Sequence, residues 1–554
     1  MSATTKTTTS SPIASPTRVT ARDADNQDDD DTIFALSSSS STGSSYHQPT
    51  AVAVIRMTGP ASGAILQQLT QRSSLPKPRY ATLCKLYEPI CSEQPTTQSP
   101  QLLDQALVLW FPRPASFTGQ DVVEFHCHGS RAVVQGVLQA LSECGARLAE
   151  PGEFTQRAFA AGKLGLLQVE ALADLIAADT STQRTLALQQ LEGRLSEVYQ
   201  DWRNRLIAGL AHAEAVIDFG DDERLDDTDD NDIENTHNGH DDAAQWSVWG
   251  NVVDRMRELR HSMSRQLANV RGELVREGVH ICLIGPPNAG KSSLFNLLAS
   301  RPAAIVSSTA GTTRDVLEIS LNLAGVKCIL QDTAGLRQES SDEIEVEGMK
   351  RAAQAASSAD LIVALLDMAA HDNNSGTSGG GWETEWHNLQ TILTSHQVDL
   401  SRVLLVLNKS DLKSNGEDVA ATTSSTAGDY FEISCKTQQG VDGFLTCLTE
   451  RVMERVTGTD DATVPTNNDV NVVVLDGTDD SNLSLITRTR HRQHVQAAVE
   501  ALERFDALSQ QGTMAVDLAA EELRLAGSEL GRILGAVDVE DVLDKLFTDF
   551  CIGK

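Results

Sequence analysis

The residues best suited to chemistry lie in the stretch GPPNAGKS, which ends at Ser292. It fits the pattern G-x-x-x-x-G-K-[ST], typical of a loop whose backbone N–H groups surround phosphates at the start of a helix. Lys291 would reach the β and γ phosphates, and Ser292 would bind Mg²⁺. The apolar run VHICLI before the loop predicts a strand, and SSLFNLLA after it predicts a helix. The loop residues expected to contact a nucleotide are Asn288, Ala289, Gly290, Lys291, Ser292 and Ser293.

Three further motifs follow in an order that favours guanosine triphosphate. DTAG places Asp332 beside the Mg²⁺ shell and Gly335 beside the γ-phosphate, with Thr333 and Ala334 between them. The motif NKSD supplies Asn408, Lys409 and Asp411, and Ser434 would complete the base pocket. The Asp411 carboxylate can accept from N1–H and the 2-amino group of guanine, whereas adenine offers neither donor. Charged hydrogen bonds of roughly 1.5–3 kcal/mol each are enough to select the base.

One position leaves the hydrolytic step open. Regulatory GTPases often carry a water-positioning glutamine directly after this aspartate–glycine motif. The residue here is Leu336, whose side chain cannot polarise water. We therefore expect either that another group orients the water or that the protein hydrolyses GTP slowly.

Alternating apolar runs and helical patterns from residue 278 to 459 position these motifs. Such alternation predicts a doubly wound, mainly parallel sheet. Residues 155–277 and 460–554 have helical periodicity, interrupted at 218–242 by an acidic segment that we expect to be a solvated loop. The simplest arrangement packs the two helical segments into one bundle and makes the α/β domain an insertion.

Apolar periodicity locates individual helices within these segments. One stripe predicts a single long helix and comprises Leu188, Leu191, Leu195, Val198, Trp202, Leu206 and Leu210. A second helix is predicted around Val495 to Phe505, and a last one ends at Phe550, with Asp538 as its N-cap. The basic stretch from Arg488 to His494 is either a local RNA contact or a solvated helix start.

The N-terminal part divides at about residue 31. Residues 1–31 contain basic and hydroxyl residues followed by an acidic cluster, a composition typical of either a transit peptide or a disordered tail. Residues 32–154 mix short apolar runs with turns and one helical stretch, which predicts a small α+β domain. The overall expectation is a multidomain α/β protein.

Composition limits the classes of function. The chain of 554 residues has a formal charge of −32, which argues against broad electrostatic capture of nucleic acid. Its nine cysteines are scattered without a CxxC pair, as expected for reduced thiols. No apolar run approaches 18 residues, so we expect no membrane span.

Taken together, these motifs resemble the tRNA-modification GTPases of the MnmE/TrmE family. The resemblance runs from Asp31 to Lys554 and is most specific in AVAVIRMTGP, FPRPASFTGQDVVEFHCHG, PGEFTQRAFAAGKLGLLQVEALADLI, AGTTRD, DTAGLR and the final CIGK. It implies a folate-binding-like N-terminal domain that dimerises, a helical domain and an inserted GTPase domain.

The resemblance also implies a K⁺-stimulated hydrolysis. Asn288 would hold the K⁺ ion against the phosphates, with further ligands from Ser307, Thr309 and Thr312. Thr313 would complete the Mg²⁺ shell begun by Ser292. Glu345 matches the water-orienting acid. Because the segment carries one more residue before this position than the family pattern has, Glu343 is an alternative.

A second site follows from the resemblance alone. Arg56, Glu124 and Lys163 would contact a 5,10-methylene- or 5-formyl-tetrahydrofolate, with Lys554 near its tail. The sequence FHCHGS lacks the family's usual second glycine, which alters the pocket's detail. Cys551 would be a catalytic thiol, although a capped helix end with a small buried cysteine explains CIGK equally simply.

The function implied is modification of C5 of the wobble uridine of certain tRNAs, of the carboxymethylaminomethyl or taurinomethyl type. The implied partners are GTP and GDP, tRNA, a second copy of the chain, and an FAD-dependent MnmG-type protein in a heterotetramer. The expected location is the mitochondrion, with cytoplasm or plastid as alternatives. Two other functions stay open: an RNA-binding ribosome-assembly or translation GTPase, and a folate-binding scaffold whose GTPase domain does not hydrolyse.

Overall fold

The computed structural model divides the chain into two compact units. One unit comprises residues 1–164 and 536–554, and the other comprises residues 165–535. Within them, the residues that the structure describes are 31–38, 50–89, 100–222, 241–305, 317–332, 354–368, 381–412, 423–425, 428–457, 486–511, 515–537, 542–543, 546–547 and 550.

The first unit contains a six-stranded sheet with the strand order β3-β4-β5-β2-β1-β6. Its strands are β1 Ile33–Leu36, β2 Val52–Thr58, β3 Thr82–Tyr87, β4 Leu102–Phe111, β5 Val122–His128 and β6 Arg147–Leu148. Its helices are α1 Ser62–Thr70, α2 Arg131–Glu143 and α3 Glu153–Ala160. Neighbouring strands are antiparallel except for β1 and β6, which run parallel.

Alternation along β5 explains how this sheet presents a polar face. Val123 and Phe125 are fully buried in a core that includes residues of α1 and α2. Burial of each such side chain stabilises the fold by about 1.5–3 kcal/mol. Because successive side chains point to opposite faces, Glu124 and His126 lie on the other face, where they are partly exposed.

The second unit contains a helical bundle built from two separated segments of the chain. Its helices are α4 Leu166–Ala177, α5 Ser181–Leu191, α6 Arg194–Asp222, α7 Asp241–Ala268, α8 Arg271–Glu277, α12 Thr489–Ser509 and α13 Val516–Leu534. One apolar core joins residues of α6 and α7 to residues of α12 and α13. No helix in the described ranges is long and apolar enough to cross a membrane.

Two boundaries differ from the sequence-based expectation. The stripe from Leu188 to Leu210 does not form a single helix, because the helix is interrupted at Gly193, between α5 and α6. Gly193 has a φ of 97°, a conformation that ends a helix and that residues with a Cβ rarely adopt. The predicted acidic loop 218–242 is also too long, since α6 continues to Asp222 and α7 begins at Asp241.

The basic stretch from Arg488 to His494 is not a solvated helix start, because its charged side chains are largely buried and paired with carboxylates. Arg490 donates to Glu170 at 2.9 Å, and the Nε2 atom of His491 lies 2.9 Å from the same carboxylate. Further partners come from α8, where Glu273 accepts from Arg492, and from the helix Val516–Leu534, where Glu529 pairs with His494. The solvated helix start is therefore wrong, and the local RNA contact stays a prediction. Burial opposes ionisation of Glu170, but the His491 hydrogen bond and the arginine charges outweigh it and lower its pKa to about 2.

The inserted α/β domain contains an eight-stranded sheet with the order β13-β14-β12-β11-β7-β10-β9-β8. Its strands are β7 Val279–Ile284, β8 Ala304–Ile305, β9 Leu317–Leu323, β10 Val326–Asp332, β11 Leu361–Asp367, β12 Val403–Asn408, β13 Thr423–Ser425 and β14 Gly428–Glu432. Its helices are α9 Lys291–Ala299, α10 Gly381–Ser395 and α11 Val441–Thr457. The five strands β14, β12, β11, β7 and β10 are mutually parallel, so the carboxyl ends of these strands lie at one edge. A multidomain α/β protein is therefore confirmed.

Candidate functional site

The phosphate-binding loop connects β7 to α9 and is held in shape by two glycines. Gly285 has a φ of 148°, and a Cβ there would lie 2.0 Å from the carbonyl oxygen of Leu365. Gly290, with a φ of 102°, would place a Cβ 2.1 Å from Nδ2 of Asn408. No real Cβ tolerates such distances, so both positions require glycine.

Side chains of the loop are arranged for an anion. Lys291 begins α9, is 8% exposed, and its ammonium donates to the carbonyls of Gly285 and Pro286 at 2.8 Å each. Asn288 is exposed on the loop with a φ of 63°. The helix N-terminus adds partial positive charge, and Ser293 is exposed in its first turn. The loop therefore presents backbone N–H groups and one ammonium to a polyphosphate.

Asn408 connects the phosphate loop to the base-binding side. Its Nδ2 donates to the carbonyl of Ala289 at 2.8 Å, and its Oδ1 accepts from the backbone N–H of Cys435 at 3.1 Å. Asn408 is only 2% exposed, so both bonds are protected from water. One carboxamide thus fixes two loops that the sequence separates by more than 100 residues.

Asp411 and Ser434 form the part of the site expected to recognise guanine. The Ser434 hydroxyl donates to Oδ1 of Asp411 at 2.7 Å and accepts from the backbone N–H of Thr437 at 3.2 Å. Ser434 is fully buried whereas Asp411 is exposed. The buried hydroxyl therefore orients an exposed carboxylate, the group that can accept two hydrogen bonds from guanine.

Ser292 and Asp332 provide oxygen atoms suited to Mg²⁺. The hydroxyl of Ser292 lies 3.3 Å from Oδ2 of Asp332 at the end of β10. Mg²⁺ prefers such hydroxyl and carboxylate oxygens and keeps other positions for phosphate and water. These two residues fit the ion. The third predicted ligand, Thr313, lies outside the described residues.

Lys409 has a partner that sequence reasoning missed. Its ammonium donates to Oδ2 of Asp367, the last residue of β11, at 2.6 Å. Asp367 lies beside Asn408 in the parallel register of β11 and β12. Nearby, burial and the charge of Asp367 raise the pKa of Glu385. The available signal was the carboxylate that ends the apolar run ADLIVALLD, next to the strand that carries the NKSD motif.

In the first unit, Arg56 and Glu124 form an ion pair across β2 and β5. The Nε and Nη2 atoms of Arg56 donate to Oε1 of Glu124 at 3.1 and 3.0 Å. The guanidinium also lies 5.8 Å from the ring centre of Phe117 and 5.9 Å from that of Phe154. Planar arginine and aromatic groups together suit a flat heterocycle.

His126 and Lys163 extend this polar face. The Nε2 atom of His126 is buried, lies 3.6 Å from Oε2 of Glu124, and has no hydrogen-bond partner among the described residues. Such an atom fits a ligand with polar edges, as a pterin has. Lys163 is exposed, and its Cε lies 3.6 Å from the Cβ position of Gly119. The alternation of β5 was the signal for His126, which sequence reasoning did not select.

The C-terminal residues described in this unit pack close to the same place. A Cβ on Gly152 would lie within 3.0 Å of backbone and side-chain atoms of Phe547. Phe547 also contacts Phe550, with ring centres 6.3 Å apart. Since Gly152 lies two residues before Phe154, the segment that leads into CIGK reaches the region of the Arg56 pair.

Several predicted site residues lie outside the part of the chain that the structure describes. The N-cap residue proposed for the last helix, Asp538, is also outside it. The predicted site residues in question are Ser307, Thr309, Thr312, Thr313, Thr333, Ala334, Gly335, Glu343, Glu345, Cys551 and Lys554.

Comparisons with known proteins cover nearly the whole chain. A family described as MnmE helical domain matches residues 166–551, and one described as GTP-binding protein TrmE N-terminus matches residues 32–163. A relative from Danio rerio, a 5-taurinomethyluridine-[tRNA] synthase subunit GTPB3, mitochondrial, is 41% identical over 92% of each chain.

Two further relatives represent an animal and a bacterium. The protein of the same name from Homo sapiens is 42% identical over 91% of this chain and 90% of its own. A tRNA modification GTPase MnmE from Paramagnetospirillum magneticum is 41% identical over 91% of this chain and 96% of its own. This chain belongs to the MnmE/TrmE family of tRNA modification GTPases.

Proposed function

We propose that the chain is a GTPase that modifies C5 of the wobble uridine, position 34, of certain tRNAs together with an FAD-dependent MnmG-type partner. The observation that carries this proposal is the combination in one chain of the N-terminal and helical domains of this family with a phosphate loop and an Asp411 carboxylate oriented by Ser434. A ribosome-assembly or translation GTPase would share the nucleotide site but would have no need of the Arg56 site.

In the proposed hydrolysis, this chain's residues bind and orient GTP. Lys291 and the loop N–H groups neutralise the phosphates, while Asp411, oriented by Ser434, selects the base. Ser292 and Asp332 would hold Mg²⁺, which supplies charge stabilisation to the departing phosphoryl group. Glu345, with Glu343 as the alternative, would orient the attacking water in place of a glutamine at position 336.

Hydrolysis is proposed to require K⁺. Asn288, Ser307, Thr309 and Thr312 would bind the ion, which stabilises charge as an arginine finger does. The position of Asn288 supports this role, because the residue is exposed on the phosphate loop two residues before Gly290. Turnover should be faster in KCl than in NaCl, and Glu345→Ala should lose turnover while GTP still binds.

The polar face of the first unit is proposed to bind 5,10-methylene- or 5-formyl-tetrahydrofolate. Glu124 and His126 would meet the pterin, Phe117 and Phe154 would flank it, and Lys163 and Lys554 would attract its glutamate tail. The position of Phe547 supports an approach of Cys551 to this site. Cys551 would then act on the uridine or the one-carbon unit.

The proposed assembly is a homodimer that joins the MnmG-type partner in a heterotetramer. Mitochondrial location is proposed because the animal relatives are named mitochondrial, although a bacterial relative is about equally similar. The names of the animal relatives favour taurine as the amine donor.

Mass spectrometry of tRNA nucleosides tests the function. Cells that lack the chain should lose the modified wobble uridine, and the wild-type chain should restore it. Cys551→Ser should bind and hydrolyse GTP but fail to restore the nucleoside. Normal wobble-uridine modification in the deletion strain would favour the RNA-binding GTPase. GTP turnover that is not stimulated by K⁺ would favour the folate-binding scaffold.

A further inference from the structure

The inserted α/β domain is connected to the helical bundle at two places in the chain. The chain leaves the bundle through α8, which ends at Gly278 directly before β7. On its return to the bundle, the structure describes the chain from Ile486, three residues before α12 begins at Thr489. Any movement of the α/β domain against the bundle must pass through these two crossings.

One carboxylate on α4, that of Asp174, binds an arginine at each of the two crossings. Arg276, on α8, donates from Nε to both oxygens of Asp174 at 3.0 and 3.2 Å. Arg488, at the start of α12, donates from Nη2 to Oδ1 of Asp174 at 2.7 Å. Asp174 and Arg488 are each only 17% exposed, so water screens these charges weakly. Without the carboxylate, the two guanidinium groups would repel each other.

Neighbouring contacts attach the α/β sheet to the same part of the bundle. The Lys327 ammonium, on β10, donates to Oδ2 of Asp179 at 2.7 Å. Within the bundle, Gln183 on α5 donates from Nε2 to the backbone carbonyl of Arg276 at 2.9 Å and so holds the outgoing crossing. A cavity of about 320 Å³ lies among Asp174, Gln183, Arg276, Lys327 and Thr487, which gives this junction space to change shape.

The nucleotide site lies at the opposite end of β7 from this junction. Six residues of β7 separate Gly278 from Gly285, a distance of roughly 20 Å along an extended strand. A change at Asp174 therefore leaves every nucleotide contact in place. It alters only how firmly the α/β domain is held to the bundle.

We propose that Asp174 is a positioning residue that transmits the nucleotide state of the α/β domain to the helical bundle. The carboxylate holds the outgoing and returning chain together, so a tilt of the α/β domain moves α4 and α12 as one body. Because this junction joins the α/β domain to the bundle at both crossings, it carries the signal that tRNA modification needs. The proposal rests on the function proposed above.

Asp506 offers a matched control. It is also 17% exposed and also binds two arginines, Arg257 at 2.7 Å and Arg260 at 3.3 Å. Both partners lie on α7, so this cluster stays within the bundle and touches neither crossing. Asp174→Asn and Asp506→Asn therefore remove the same kind of contact, and only the first loosens the junction.

The experiment compares full-length chains in two assays. Asp174→Asn should hydrolyse GTP at the wild-type rate but restore wobble-uridine modification in deletion cells about tenfold less well, within the usual range of coupling between sites. Asp506→Asn should match the wild type in both assays. Equal modification by the two variants would overturn the proposal, as would a loss of hydrolysis in Asp174→Asn alone.

A physical readout separates this proposal from the proposed function. Fluorophores at the exposed positions Gln200 and Thr446 would report the distance between bundle and α/β domain with GDP and with a GTP analogue. The nucleotide-dependent change should disappear in Asp174→Asn and persist in Asp506→Asn. If the wild type failed to restore modification, the proposed function would fall, and this distance would still decide the coupling. A persistent change in Asp174→Asn would overturn it.

A second variant covers a failure of Asp174→Asn to fold. Lys327→Ala removes only the half-exposed contact with Asp179 and leaves the bundle intact. We expect the distance change between the labels to shrink while hydrolysis stays at the wild-type rate. An unaltered distance change in Lys327→Ala would contradict the proposal in that case.

Discussion

The nucleotide site and the Arg56 site are built in opposite ways. The nucleotide site collects short motifs at the carboxyl edge of parallel strands, where backbone geometry and glycine do most of the binding. The Arg56 site is a set of side chains from separate segments on one face of an antiparallel sheet. We therefore expect the nucleotide site to lose affinity for GTP when its backbone is changed. The Arg56 site should lose affinity for its ligand when a single charged side chain is removed.

The largest effect is expected from Gly290→Ala. The added Cβ would clash with Nδ2 of Asn408 and demand a φ of 102° from alanine. Relief of the clash would separate the phosphate loop from Asn408, so GTP affinity should fall by more than about 100-fold. Titration with a fluorescent GTP analogue measures this loss.

Gly193→Ala is the control for backbone strain. Gly193 has a similar φ of 97° but nothing within 4 Å of its Cβ position. This variant should lose about 1 kcal/mol of stability and keep full GTP affinity. Equal loss of affinity in both variants would mean that strain, not the contact with Asn408, explains the effect.

The next effect concerns Glu153, which supports the Arg56 site from α3. Its carboxylate accepts from Arg147 at 2.7 Å and from Arg157 at 2.9 Å. Glu153→Gln would remove the negative charge that binds two arginines, one of them the buried Arg157, so the free energy of unfolding of the first unit should fall by about 3 kcal/mol. Thermal unfolding measures the change, with the exposed Glu143→Gln as the control.

Glu153 also gives this unit a pH dependence. Burial alone would raise its pKa, but hydrogen bonds from Arg147, the backbone of Glu150 and Arg157 lower it below 4.5. The folded state therefore binds the proton less readily than the unfolded state does. The stabilisation is complete above about pH 4.5 and is lost as the pH falls through the folded pKa. In Glu153→Gln the free energy of unfolding should lack this acid-sensitive component. If its dependence on pH were the same as in the wild type, Glu153 would not be the group responsible.

A smaller effect is expected from Arg56→Ala. The change removes the ion-pair partner of Glu124 and the guanidinium that lies near the rings of Phe117 and Phe154, so tetrahydrofolate affinity should fall about tenfold. Isothermal titration measures this affinity, and GTP affinity should be unchanged. Lys77→Ala is the control, because it also removes one positive charge from this unit but at an exposed position. If both variants bound folate normally, the polar face would not be the folate site.

The sequence allowed the prediction of features that are local along the chain. The phosphate loop, the NKSD motif and the strands before them depend on spacing and β-branched runs within about ten residues. A change of period is likewise the basis for the predicted division into an inserted α/β domain and two helical segments. Such features are readable because backbone geometry, rather than distant partners, determines them.

Features that depend on distant partners could not be predicted. The stretch from Arg488 to His494 reads as a basic surface until Glu170 and Asp174, more than 300 residues earlier, are placed against it. The break at Gly193 was hidden because the apolar stripe continues on both sides of it. The stacking of Arg56 on Phe154 likewise joins strand to helix across about 100 residues.

The smallest effect is expected from a change at Asp367, a side chain that supports Lys409 in the nucleotide site. Asp367 binds the Lys409 ammonium at 2.6 Å, and the pair is partly buried, with exposures of 33% for lysine and 24% for aspartate. The ion pair restrains the ammonium end of Lys409, so we expect its methylene stem to be held in place for an apolar contact with the base. Asp367→Asn should therefore raise KM for GTP about fivefold, equivalent to about 1 kcal/mol.

The split between KM and kcat decides this prediction. Asp367 lies opposite Asn408 and binds Lys409, both in the motif expected to bind the base, so kcat should stay at the wild-type value. Asp367→Glu should recover part of the affinity because it restores the charge. Glu383→Gln, an exposed change on α10, should alter neither constant. A lower kcat with an unchanged KM would place Asp367 in the hydrolytic step, and the nucleotide site would then depend on single charges as the Arg56 site does.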